Sequence, residues 1–187
     1  MYPVVVLTAF YGFRRSEALG LKWSHIDFNA KSLTVQDTVV RCGKTAAMDK
    51  EKCTKNDASH RMLPLKAPMK KFLLKLQKKQ AKQKKLLGSC YNDNDYVCKW
   101  ENGEPFKPTY ITDRFIKVLS RSSLPRIRFH DLRHSAASIL LKMGHSIKEI
   151  QEWLGHSIYA TTADIYGHLE DKAKKNMASS MGNKLDF

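Results

Sequence analysis

From Pro108 onward the chain keeps its apolar residues at helical spacing, while the strict alternation of a half-buried strand is confined to short stretches ahead of residue 66. This contrast admits few folds. It predicts an α+β molecule, mainly α-helical, with a small antiparallel three-stranded sheet. Residues 32–36 alternate, with Leu33 and Val35 between polar neighbours, and read as one strand. Residues 37–41 are rich in Val and Thr and offer a partner, and residues 60–65 supply the third strand. Residues 4–10 are apolar on every side, so periodicity leaves helix and strand both open there. Pro68 opens a lysine-rich helix that ends near Gly88. Turns at residues 92–95 and 101–105 leave room for a short strand at 96–100. Beyond Pro108, Ile111, Phe115, Val118 and Leu119 share one helix face. Phe129, Leu132, Ala136, Ile139, Leu140 and Met143 form the stripe of the next helix. Ser146 and Glu149 make a capping box, and Gly155 is a stop signal for the helix they start. The last helix has only Leu169, Ala173, Met177 and Met181, a narrow stripe suited to docking on another surface.

Charge narrows the choice of partner. The 187 residues carry a formal net charge of +15, with a pI of about 9.7. A charge of that sign and size attracts polyanions, and nucleic acid is the usual one. Residues 66–85 hold nine lysines and no acid, a pattern equally suited to a solvated helix face and to phosphate contact. No stretch reaches the ~18 consecutive apolar residues of a membrane-spanning helix. Cys42, Cys53, Cys90 and Cys98 form no C-x-x-C pair, which argues against a zinc finger and favours reduced thiols.

The residues with chemical potential come in an ordered series. It runs through Gly12-Phe13-Arg14-Arg15-Ser16-Glu17, then Thr54-Lys55 with Ser59-His60-Arg61 and Pro64-Leu65. It continues with His130-Asp131-Leu132-Arg133-His134, Leu154-Gly155-His156-Ser157 and Tyr166-Gly167-His168. Each element alone has an ordinary explanation. Arg14 with Glu17 three residues on suits a surface ion pair, and Lys55 lies in a polar turn. His130 beside an apolar stripe suits a hydrogen-bonded structural histidine. Arg133, on the flank of the same stripe, must meet an anion because a guanidinium stays charged. His156 could cap a helix end, and a lone tyrosine such as Tyr166 is usually filler.

Taken in order, the series resembles the active site of the tyrosine recombinases, in particular the integrases of phages and conjugative transposons. The resemblance covers nearly the whole chain and fills all six family positions: Arg14, Lys55, His130, Arg133, His156 and Tyr166. It implies that residues 4–10 form a helix and that the chain has the tyrosine recombinase catalytic-domain fold. It also implies that Tyr166 attacks a DNA phosphate to form a 3′-phosphotyrosyl link. Arg14, Arg133 and His156 would hold the non-bridging oxygens, Lys55 would protonate the leaving 5′ oxygen, His130 would assist proton movement, and Glu17 would orient Arg14. No metal, cofactor or ATP is called for. The implied partner is double-stranded DNA, with self-association into a tetrameric synapse through the C-terminal segment. The implied setting is the bacterial cytoplasm, at the nucleoid. Residues 1–187 would form a single catalytic domain, without the family's core-binding and arm-binding domains and with a truncated first helix. Three rivals remain. One is a metal-dependent nuclease using His130 and His134, one a DNA-binding fragment without catalysis, and one a type IB topoisomerase.

Overall fold

The computed structural model describes residues 1–39 and 60–155, together with Ser179. Helix α1 (Tyr2–Tyr11) takes the apolar opening stretch, with a proline in its first turn and Val4, Leu7, Thr8 and Tyr11 buried. It stops at Gly12, whose φ of 68° is left-handed. A Cβ there would also lie 2.2 Å from Leu154 Cδ2, so any side chain would have to displace that methyl group. The tight approach sets the turn into α2 (Arg15–Gly20) directly against the end of a much later helix.

The sheet is three-stranded and antiparallel, in the order β1 (Ile26–Asp27), β2 (Ser32–Val35), β3 (Arg61–Pro64). Leu33 lies opposite Leu63 and Val35 opposite Arg61. Strand count and orientation agree with the sequence pattern, but one strand is misassigned. Residues 37–39 form no strand, and β2 pairs instead with β1. The cause is local. Val39 N donates to Ser16 O on α2 at 3.0 Å, and the Asp37 carboxylate meets Lys22 Nζ at 2.7 Å, so this segment is tied to α2 and its outlet. The two-residue β1 is too short for alternation to reveal.

Helix α3 (Ala67–Leu87) carries the lysines, turning Met69, Leu73 and Gln80 inward. The following loop buries Val97 and Cys98 completely. The strand expected at residues 96–100 exists only as isolated pairings, Lys22 with Tyr96 and Lys99 with Pro105. Helix α4 (Pro108–Leu119) buries Ile111, Phe115 and Leu119, while Val118, expected beside them, faces out.

Helix α5 (Asp131–Lys142) departs furthest from its pattern. Its buried residues are Arg133, Ala136 and Ala137, whereas Ile139 and Met143 are 52% and 70% exposed. Small alanines let α5 approach α1 closely, and that contact outweighs the longer apolar stripe. Arg133 thus lies on the buried face and not on its flank. Helix α6 (Ile147–Leu154) starts with the expected capping box: Glu149 N donates to Ser146 Oγ at 3.2 Å, and Ser146 N to Glu149 Oε2 at 2.7 Å. It ends at Gly155 with φ 67°. The stripe of the last expected helix lies outside the described residues.

Candidate active site

Glu17 is the centre of the site. Its side chain is fully enclosed, in the first turn of α2, and three arginines from three parts of the chain surround it. Arg14, just ahead of α2, reaches Oε1 with Nη1 at 2.5 Å, and its backbone N donates to Oε2 at 3.0 Å. Arg61, opening β3, places Nη2 2.9 Å from Oε2 and Nη1 3.4 Å from Oε1. Arg133 on α5 brings Nη1 to 3.7 Å from Oε2. Burial alone would raise the Glu17 carboxyl. The charge and hydrogen bonds of Arg61, followed by the charges of Arg133 and Arg14, outweigh it and hold the group below the usual carboxylate value. One enclosed carboxylate among three guanidinium groups leaves these four residues with net positive charge. This is an environment that favours an anion.

The arginines differ in access. The Arg14 side chain is 32% exposed, against 1% for Arg133. Arg133 spends its donors inside the protein, Nη1 on Gly12 O at 2.6 Å and Nη2 on Leu154 O at 2.8 Å. Burial, and then the nearby Arg14, press against its ionisation, while Glu17 supports it. The group stays charged, as guanidinium does in proteins. The anion demanded by Arg133 is therefore Glu17. Asp131 turns instead to Arg128, accepting from its Nη2 at 2.9 Å and its backbone N at 2.7 Å.

His130 stands at the N-cap of α5 beside this cluster. Its ring meets that of His134 edge-on, with centroids 4.8 Å apart. Burial, then the charges of His134, Arg133 and Arg14, lower its pKa from the ordinary histidine value and favour the neutral ring. Among the described residues, no three His, Cys, Asp or Glu side chains are grouped as metal ligands.

The structure thus brings Arg14, Glu17, His130 and Arg133 together across more than a hundred residues of sequence. Lys55, His156 and Tyr166 lie outside the described residues. The profile of the phage integrase family matches residues 4–173. The chain belongs to that family. It is 32% identical to a tyrosine recombinase XerC-like protein of Caldanaerobacter subterraneus subsp. tengcongensis, over 92% of this chain and 46% of the relative. Against the ICEBs1 integrase of Bacillus subtilis the identity is 31%, over 98% of this chain and 48% of that protein. It therefore spans about half the length of the curated relatives it matches. The fold is similar to that of the Tn1549 transposon integrase, solved in complex with circular intermediate DNA. The TM-score is 0.75 at 21% identity, covering 95% of this chain and 59% of the other.

The sequence series for this integrase-family chain contains Arg61 but assigns it no role, although it is a full member of the cluster. A signal for it was available. In β3 the buried positions are Arg61 and Leu63, so a charged residue occupies a slot that strand alternation assigns to the core. Such a residue needs a buried anion, and Glu17 supplies it.

Proposed function

We propose that this integrase-family chain is the strand-transfer unit of a site-specific DNA recombinase, cleaving and rejoining DNA through a 3′-phosphotyrosyl intermediate. The observation that carries the reading is the convergence of Arg14 and Arg133 on buried Glu17, with His130 at the start of α5 alongside. Such a constellation suits phosphoryl transfer, because charge spreads over non-bridging oxygens in the transition state and preorganised guanidinium groups oppose it. Arg14, the exposed arginine, is the one an incoming phosphate meets first. The Tyr166 phenolic oxygen bonds to phosphorus as the bond to the 5′ oxygen breaks, and Lys55 gives that oxygen a proton. His156 holds a non-bridging oxygen, and His130 in neutral form shuttles the proton lost by the phenol. Attack by a 5′ hydroxyl of another strand reverses the step and frees Tyr166, so bond energy is conserved. Residues 1–187 act as one catalytic unit on double-stranded DNA. Copies pair on DNA through the C-terminal segment into a tetrameric synapse, and the element served is a phage or other mobile DNA in a bacterial cell. Among the described residues no helix is long and apolar enough to cross a membrane.

The test is a duplex nicked beside the cleavage point, from which the short 5′-hydroxyl fragment escapes after cleavage. The chain should become covalently trapped on this DNA in EDTA, and Tyr166→Phe should not. Trapping that needs a divalent ion, or that persists in Tyr166→Phe, contradicts the proposal.

A further inference from the structure

Three consecutive carbonyls at the end of α6 each accept a hydrogen bond from a different arginine. Trp153 O takes Arg61 Nε at 2.9 Å, Leu154 O takes Arg133 Nη2 at 2.8 Å, and Gly155 O takes Arg14 Nη2 at 3.0 Å. Carbonyls in the last turn of a helix lack intrahelical partners and carry the negative end of its dipole, so cations are favoured there. These are the same arginines that surround Glu17. A single charged cluster therefore ties the start of α2 to the end of α6, and His156 is the next residue in the chain.

Within this cluster Arg61 has a distinct position. Its guanidinium is enclosed, with a side chain 8% exposed, and it supplies the strongest stabilisation of the Glu17 carboxylate. Its Cζ lies 5.6 Å from the centre of the Phe13 ring, a cation–π contact with the residue preceding Arg14. It also fills the space beside Gly155, where a Cβ would fall 2.6 Å from Arg61 Nη1. Gly155 is thus fixed twice, by its positive φ and by the arginine packed against it. Arg61 contacts both sides of the site yet presents little surface to a ligand.

We infer that Arg61 is a positioning residue for the strand-transfer reaction, an inference that rests on the proposed function. Through Glu17 it sets the direction of Arg14, and through Trp153 O and Gly155 it fixes the end of α6, one residue ahead of His156 in the sequence. It does not contact the phosphate. Lysine at this position keeps the charge but loses the fork that spans Glu17 and Trp153 O at once.

The experiment compares wild type, Arg61→Lys and Arg61→Met on the nicked duplex, with melting temperature, DNA affinity against salt, and amide hydrogen exchange measured in parallel. Misplacing reacting groups by about an ångström slows chemistry on the order of 100-fold, and this is the loss expected in trapping rate for folded Arg61→Lys. DNA affinity should stay within about twofold of wild type at an unchanged salt slope, because no phosphate contact is lost. Exchange should rise in peptides covering residues 14–17 and 147–155, and Arg61→Met should be at least as slow as Arg61→Lys. Wild-type trapping by folded Arg61→Lys overturns the inference. So does a salt slope reduced by about one, which marks a direct phosphate contact. Loss of folding in both variants assigns Arg61 a purely structural role and also overturns it. If wild type itself fails to trap, the proposed function falls. Exchange then judges the clamp alone, and wild-type protection in Arg61→Lys rejects it.

Discussion

The arginine cluster and helix α3 are both strongly cationic, yet they handle charge in opposite ways. The cluster gathers Arg14, Arg61 and Arg133 from three parts of the chain around one enclosed carboxylate. Helix α3 spreads its lysines along a solvated face, with ion pairs such as Lys79–Glu101 whose side chains are 62% and 77% exposed. In the cluster, low dielectric and fixed geometry make each charge depend on the others. On α3, water and salt screen each charge separately. Net charge counts both regions equally. Burial decides which of them stores structure and which only offers a field.

The sharpest way to break this contrast is Glu17→Gln, which leaves buried guanidinium groups without their anion. Uncompensated buried charge costs about 3–5 kcal/mol, so the urea midpoint should fall steeply, and trapping should be lost with it. A near-neutral effect would show that the cluster is no more cooperative than α3. Next in size is a pH effect. The His130 pKa is lowered in the folded chain, so its contribution is present at neutral pH and is lost as pH falls below 6.5. The Glu17 pKa is also lowered, so its contribution holds above 4.5 and disappears at more acid pH. Melting temperature should therefore decline in two stages on acidification, and His130→Gln should remove the earlier one. The smallest effect is expected on α3, where Lys79→Gln breaks an exposed ion pair. Its stability change should stay within about 1 kcal/mol, and any loss of DNA affinity should shrink as salt is raised. A larger destabilisation would mean that α3 is organised like the cluster.

The same contrast explains what the sequence made legible. Features that depend on neighbours in the chain were readable: the Ser146–Glu149 capping box, the Gly155 stop, Pro68 in the first turn of α3, and the Arg14–Glu17 pair. The helical state of α1 came only from the family resemblance, since an apolar run without a polar face has no period to read. The inward face of α5 was read only in part: Ala136 belongs to the expected stripe, but Ala137 carries a weak hydrophobic signal and Arg133 a charge, and both turn inward. Glu17 was legible as the partner of Arg14, but not as a shared counterion. That role depends on Arg61 and Arg133, which reach it from 44 residues away along the chain in one case and from α5 in the other. A core slot filled by arginine in β3 was the one local sign of this arrangement.

In the proposed reaction these groups serve a tyrosine that bonds covalently to DNA. This is tested most directly by digesting the trapped protein–DNA complex and locating the modified residue by mass spectrometry. One adduct is expected, a phosphotyrosyl link at Tyr166 carrying the 3′ end of the DNA. An adduct at any other tyrosine, a link to a 5′ end, or no covalent species with an intact Glu17 cluster would contradict this.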